Sequence, residues 1–219
     1  MRKLLEQLCE SKSIVPRKFT GAHAIMALFR LREEPALGRY LLQDRLGLSE
    51  ASVRSLLKLL KHRELVQVLS QRKGHRLSSK GEKFIQWLTE RIVPLRNVQL
   101  KELIPEGYIS TGFIVRNASY LVTSGIEQRD DVIRTGALGA IILIVDRTEI
   151  RFPSDEPDMV DYAARNLDEI RNVVSEDSKH GDVIVISWGR SRFEAEEGAI
   201  TAAIKLLGAL LKKSAMDRP

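Results

Sequence analysis

Apolar residues in the first ninety positions recur at steps of three and four, the period of a helix with one buried face. Ala22, Ile25, Met26 and Phe29 fall on one side of a helix predicted over Gly21 to Arg32, after a shorter one over Arg2 to Ser11. Pro35 suits the first turn of a third helix, because its missing N–H would be unpaired there in any case. That helix carries Leu37, Tyr40, Leu41, Leu42 and Leu46 as far as Gly47. Gly47 supplies a tight turn, and Ser49 offers a side-chain oxygen to an unpaired N–H of the next helix, over Glu50 to His62. There Val53, Leu56, Leu57 and Leu60 form the buried stripe, and Ala51, Arg54, Ser55, Lys58 and Lys61 face outward. Leu65 to Leu69 and His75 to Leu77 then read as short strands around the turn chemistry of Gln71-Arg72-Lys73-Gly74. Ser79-Lys80-Gly81-Glu82 is a capping box for a last helix, Glu82 to Ile92, stopped by Pro94.

Beyond a joining stretch at residues 96–107 the pattern turns mixed. Tyr108 to Arg116 and Ser119 to Thr123 hold strand-like residues, and Ser124-Gly125-Ile126-Glu127 is a capping box for a short helix, Gln128 to Thr135, closed by Gly136. Ala140 to Val145 is a buried strand by composition, turned by Asp146-Arg147 into Thr148 to Phe152. Pro157 begins a helix to Val174 with Met159, Tyr162, Ala163 and Leu167 inward; Asp182 to Ser187 is a strand, and Arg192 to Lys213 is the closing helix. The order predicts an α+β chain whose second part is an α/β sandwich, a ferredoxin-like βαββαβ with an extra helix, over residues 108–214.

Charge separates the two parts. Residues 1–96 hold 20 Lys and Arg against 9 Asp and Glu, and the remainder 15 against 20, so the chain's +6 is the sum of +11 and −5. A basic module beside an acidic one is the electrostatic footprint of nucleic-acid binding by the first. Helix, tight turn, helix, hairpin in that order also carries a resemblance. Leu46-Gly47-Leu48-Ser49-Glu50-Ala51-Ser52-Val53-Arg54 at the turn, His62-Arg63-Glu64-Leu65-Val66 before the hairpin and Leu77-Ser78-Ser79-Lys80-Gly81 after it are similar to winged helix-turn-helix DNA-binding domains. The domains resembled are those of multiple-antibiotic-resistance-type and iron-dependent-repressor-type regulators, and for the whole chain an archaeal-type regulator with an uncharacterised C-terminal domain. One departure is Glu64, where those domains usually place glycine.

The resemblance implies that residues 1–95 bind double-stranded DNA. A helix fits the major groove, so Ser49, Ser52, Arg54, Ser55, Lys58 and Lys61 are the candidates to reach base edges and phosphates, Arg54 foremost because a guanidinium pairs both acceptors of guanine. Arg72, Lys73, His75 and Arg76 of the hairpin would lie along phosphates or the minor groove. Such regulators read paired half-sites, which implies a homodimer, with Leu4, Leu5 and Leu8 or the Ile92 to Leu103 segment as contacts; either could instead cover its own core.

In the acidic part, Trp188, Gly189, Arg190 and Ser191 join a strand end to a helix start, a mixture of apolar wall and polar anchor suited to a small-molecule effector. A plain helix cap by Ser191 and Glu194, with Trp188 as packed core, is the competing reading. The glycines of Gly136-Ala137-Leu138-Gly139 precede a strand, so they form no phosphate loop. The histidines are His23, His62, His75 and His180, none spaced with another histidine or with Cys9 as metal ligands, and no nucleophile stands with a base. Asp155, Glu156, Asp158 and Asp161 form a carboxylate cluster at a helix start, where acids are favoured anyway.

With 43% hydrophobic and 29% charged residues the composition is that of a globular protein, and an uninterrupted apolar run such as Ala140 to Val145, which none exceeds, falls far short of the ~20 residues that span a bilayer. The early acids Glu6 and Glu10 leave no signal-peptide core, and a lone cysteine makes no internal disulfide. The expectation is a cytoplasmic DNA-binding transcriptional regulator with no cofactor and no metal, whose C-terminal part dimerises, senses a ligand, or both. The alternatives are an enzyme whose C-terminal part is catalytic and a protein-interaction adaptor.

Overall fold

The computed structural model describes residues 1–9, 18–34, 36–70, 74–95, 98–147, 149–153, 169–171, 174 and 178–216. The chain divides into two compact units, Met1–Thr89 and Glu90–Pro219, and the architecture is mixed helix and sheet, as the sequence pattern predicts.

The N-terminal unit runs α1 (Arg2–Cys9), α2 (Gly21–Glu33), α3 (Arg39–Leu46), α4 (Glu50–His62), β1 (Val66–Ser70), β2 (Gly74–Leu77) and α5 (Ser79–Thr89). Its core gathers Ile25, Met26 and Leu28 of α2, Leu42 and Leu46 of α3, Leu56 and Leu60 of α4, and Phe84, Ile85 and Leu88 of α5, all fully buried. Truncating one such leucine to alanine costs about 2–5 kcal/mol, because the cavity left behind closes only in part. Leu4, Leu5 and Leu8 are buried as well, so α1 covers its own unit instead of presenting an apolar face to a second copy.

α3 begins four residues later than Pro35 predicts, since Leu37 is taken by a β-bridge to His75 at the root of the hairpin. The close approach explains Gly74: with φ +77°, it turns where any side chain would collide with the Leu37 carbonyl. Gly47, at φ 63°, makes the left-handed C-cap that separates α3 from α4. Glu64 adopts the same left-handed region, φ 60°. The conformation usually assigned to glycine is thus present without it, and the Glu64 side chain is held by an ion pair to Lys80 at 2.7 Å.

The C-terminal unit is a five-stranded antiparallel sheet of β3 (Ile92–Pro94), β4 (Ile109–Val115), β5 (Gly139–Asp146), β6 (Glu149–Arg151) and β7 (Val183–Gly189), with α6 (Ile126–Ile133) and α7 (Arg192–Met216). β3 corrects the expectation of helix to Ile92: its three residues pair with Phe113, Ile114 and Val115. Ser119–Leu121 is a 3₁₀ turn and not the strand expected there. Residues 98–107 are not a bare linker either, for Val98, Leu100 and Ile104 are buried in this unit's core. Val98, Leu100 and Ile92 therefore serve their own unit and are unavailable as dimer contacts.

The strand order is β3-β4-β7-β5-β6. β4 and β5 run parallel with one strand between them, a split arrangement as expected, but the strand between is β7, where a ferredoxin-like order would place the hairpin return β6. Composition decides this. Val183, Ile184, Val185 and Ile186 are buried on both faces, as a central strand requires, whereas three-residue β6 is exposed or half-buried at two positions and takes the edge. Ile114, Ile184, Leu143 and Ile141 face a core with Ile170 and Val174. The other face meets α7 through small residues: Gly198 leaves room for Ser187, Val132 and Ala137. Most of the helix predicted over Pro157 to Val174, with Met159, Tyr162, Ala163, Leu167 and the acids Asp155, Glu156, Asp158 and Asp161, lies outside the described residues. Among those described, no helix is long and apolar enough to cross a membrane.

Candidate functional site

α4 positions the candidate side chains of the N-terminal unit. With Val53, Leu56, Leu57 and Leu60 buried, the helical period turns Ala51, Arg54, Ser55, Lys58, Lys61 and His62 outward as one exposed stripe. Its start is fixed by the cap: Ser49 Oγ accepts from Ser52 N–H at 3.3 Å and lies 2.9 Å from Ser52 Oγ. Ser52 is buried by this arrangement, so it positions α4 and is not itself open to a base edge. Ser55 donates its hydroxyl hydrogen to Ala51 O at 3.0 Å, which leaves its oxygen available as an acceptor. Arg54 is ion-paired to Glu50 at 2.8 Å while its side chain stays 64% exposed. A pair so exposed contributes little and is readily exchanged for another acceptor. Lys58 and Lys61 make no hydrogen bond or ion pair among the described residues.

The hairpin divides its candidates. Arg72 and Lys73 lie outside the described residues. Arg76 is exposed on β2, across from Gln67 of β1. His75, expected on a phosphate, is instead buried at the hairpin root, where its N–H donates to Leu37 O at 2.9 Å and its Nδ1 has no partner. Burial lowers its pKa, and the charges of Lys61 and Arg39 lower it further against a raising backbone hydrogen bond from Leu37. Arg39, exposed at the start of α3, thus adds its charge to that of Lys61 around His75. Sequence reasoning passed over Arg39, although its place at the first residue of the helix before the turn is a signal it could have used.

His23 is the other buried imidazole of this unit. Its Nδ1 accepts from Thr20 N–H at 3.2 Å and sits 2.9 Å from Thr20 Oγ1, closing a capping box at the start of α2. Burial lowers its pKa to about 4, so it is neutral at physiological pH, as an acceptor role requires.

In the C-terminal unit the loop after β7 satisfies itself. Glu194 Oε2 accepts from Arg190 N–H at 2.8 Å, and Ser191 Oγ accepts from Glu194 N–H at 3.3 Å. The backbone N–H groups of Arg190 and Glu194 are thereby engaged in the helix cap and not open to an effector. Trp188 is half-buried against the core and lies on Gly139, where any side chain would collide with the indole. Gly189 is buried, and Arg190 is exposed, its guanidinium in no ion pair among the described residues. Among the described residues no three His, Cys, Asp or Glu side chains form a group able to hold a metal.

Two family models match in succession. One, described as PH0730-like, N-terminal domain, covers residues 22–83, and one described as a domain of unknown function (DUF4443) covers residues 107–206. No curated protein matches the chain. Among solved structures, the hypothetical protein PH0730 from Pyrococcus horikoshii OT3 is similar at a TM-score of 0.65 and 29% identity, over 90% of this chain and 95% of that one. The likeness spans both units, so their pairing along one chain is shared with that protein.

Proposed function

We propose that the protein is a DNA-binding transcriptional regulator: the N-terminal unit is a winged helix-turn-helix that lays α4 in the major groove, and the C-terminal unit supports dimerisation or responds to a small ligand. The observation that carries this reading is the outward stripe of α4, where Arg54, Lys58 and Lys61 are exposed together on a unit with 18 basic and 8 acidic residues. Ser49 and the left-handed Gly47 turn fix where α4 begins, and Arg54 stands exposed near that start, the part of a recognition helix that contacts base edges. Two such helices one DNA turn apart, from a two-fold dimer, would cover paired half-sites.

The test begins with selection of bound duplexes from a random pool, followed by quantitative titration of the selected site and of random DNA. Arg54→Ala is expected to cost about 1–3 kcal/mol on the selected site and to relax preference at one base pair. Lys58→Gln with Lys61→Gln is expected to weaken both DNAs alike and to reduce the salt dependence by about two charges. A wild-type chain that enriches no sequence and binds random duplex no better than the double variant would overturn the proposal.

A further inference from the structure

The stretch over residues 98–108 leads into β4 and buries Val98, Leu100 and Ile104 in the core of this unit. Between it, the first residues of β4 and the start of α7 opens a cleft of about 830 Å³, a size that holds a small organic molecule. Leu95, Val98 and Ile104 form its apolar wall, and Tyr108 at the rim is 42% exposed. The wall is held in place from both ends. Ser110 Oγ donates to Val98 O at 2.7 Å, and the Glu169 carboxylate accepts from the backbone N–H groups of Lys101 and Glu102. The main chain at Lys101 is thus anchored while its side chain is left to the cleft. Arg192 lines the cleft from α7, and neither it nor Lys101 makes a side-chain hydrogen bond or ion pair among the described residues. The unit around them is acidic, with 17 basic and 21 acidic residues. Among the lining residues these two cations stand against one carboxylate, Glu106, while the Glu169 carboxylate is taken up by the backbone N–H groups of Lys101 and Glu102.

We propose that this cleft binds one organic anion, a single carboxylate or sulfonate carried on an aromatic or aliphatic body. The body lies against Leu95, Val98 and Ile104, and the charge is met by Lys101 and Arg192. Glu106 and the acidic surroundings disfavour polyanions such as nucleotides, because each added negative charge meets repulsion that the two cations do not offset. The site is separate from the α4 stripe and stands whether or not the N-terminal unit binds DNA.

The probe is 8-anilinonaphthalene-1-sulfonate, titrated by fluorescence into the full-length protein, with near-ultraviolet circular dichroism showing that each variant keeps its tertiary structure. One probe per chain is expected, displaced by dodecanoate. Charged hydrogen bonds at a partly exposed site support a loss of about tenfold for Arg192→Gln or Lys101→Gln, and more for the pair. Lys212→Gln, exposed on the last turns of α7, leaves binding unchanged. N-phenyl-1-naphthylamine, which has the same body without the sulfonate, binds at least about tenfold more weakly. Absence of stoichiometric binding, equal affinity for the neutral probe, or a folded double variant that binds as the wild type does would each overturn the proposal.

Discussion

Lys58, Lys61 and Arg76 of the N-terminal unit stand exposed without a carboxylate partner among the described residues, whereas two buried carboxylates of the C-terminal unit, Asp182 and Asp131, hold cations. Asp182, 1% exposed, accepts from Arg116 and from the N–H groups of Asn117 at 3.1 Å and Lys179 at 2.8 Å. Asp131 holds Arg134 at 3.0 Å and Lys205 across from α7. The charges on Asp182 and Asp131 are committed to the fold, where removing the acid takes away a partner its cations hold. Charge on α4 is uncommitted and available to a partner outside the chain. The same residue types therefore do different work, and mutation should separate the two uses: loss of stability in one unit, loss of binding with little loss of stability in the other.

The largest effect belongs to Asp182. Asp182→Ala removes the acid that the largely buried Arg116 guanidinium pairs with and leaves the backbone N–H groups of Asn117 and Lys179 without that acceptor, at a cost of about 3–5 kcal/mol. The two tryptophans make this readable by unit, because Trp87 lies in the first and Trp188 in the second. Thermal unfolding followed in Trp87→Phe and Trp188→Phe backgrounds should show the loss at Trp188. A loss of similar size at Lys58→Gln, Lys61→Gln would erase the distinction between committed and uncommitted charge.

Acid should weaken the opposite unit. In the unfolded chain His23 takes up its proton near pH 6.5, while burial holds the folded value to about 4. Between these values the unfolded state binds more protons, so stability rises with pH: the contribution is complete above about pH 6.5 and is lost as pH falls toward 4, by about 3 kcal/mol in all. His75, lowered for the same reason, adds in the same direction. The C-terminal unit has only the exposed His180, 3.6 Å from Asp146. Melting at pH 7.5 and pH 5 should therefore shift at Trp87 more than at Trp188, and His23→Gln should remove most of that shift. An equal shift in the variant would place the acid sensitivity elsewhere.

These contrasts were legible in the sequence to different depths. The stripe of α4, its Ser49 cap and the Gly47 turn follow from local chemistry, which is why residues 50–62 were placed to the residue. Ser52 and His75 were misread because spacing says which face a residue occupies but not what approaches that face; a neighbouring cap buries one and the Leu37 bridge buries the other. The sheet order failed for a related reason. It depends on which strand is apolar on both faces, and Val183 to Ile186 shows that in composition, yet its pairing partners lie 39 to 80 residues away in sequence. Lys101 and Arg192 carry no motif at all, and only the fold of residues 98–108 ahead of β4 brings them to one cleft.

The smallest expected effect concerns Arg76, and it sharpens the comparison within the N-terminal unit itself. The hairpin is short, and Arg76 faces Gln67 on an exposed surface while its neighbours Leu77 and His75 are buried. A guanidinium placed so reaches a phosphate more readily than a base edge, and phosphate contacts carry position and not sequence. Arg76→Gln should therefore leave the melting at Trp87 within about 0.5 kcal/mol, since it removes no buried contact. In DNA titration it should weaken the selected site and random duplex by the same factor and lower the salt dependence by about one charge, the release of one condensed counterion. Arg54→Ala, acting through a base edge, should instead change the ratio of the two affinities. If Arg76→Gln also alters that ratio, the hairpin reads sequence as α4 does, and the division of labour between the two elements gives way to a shared one.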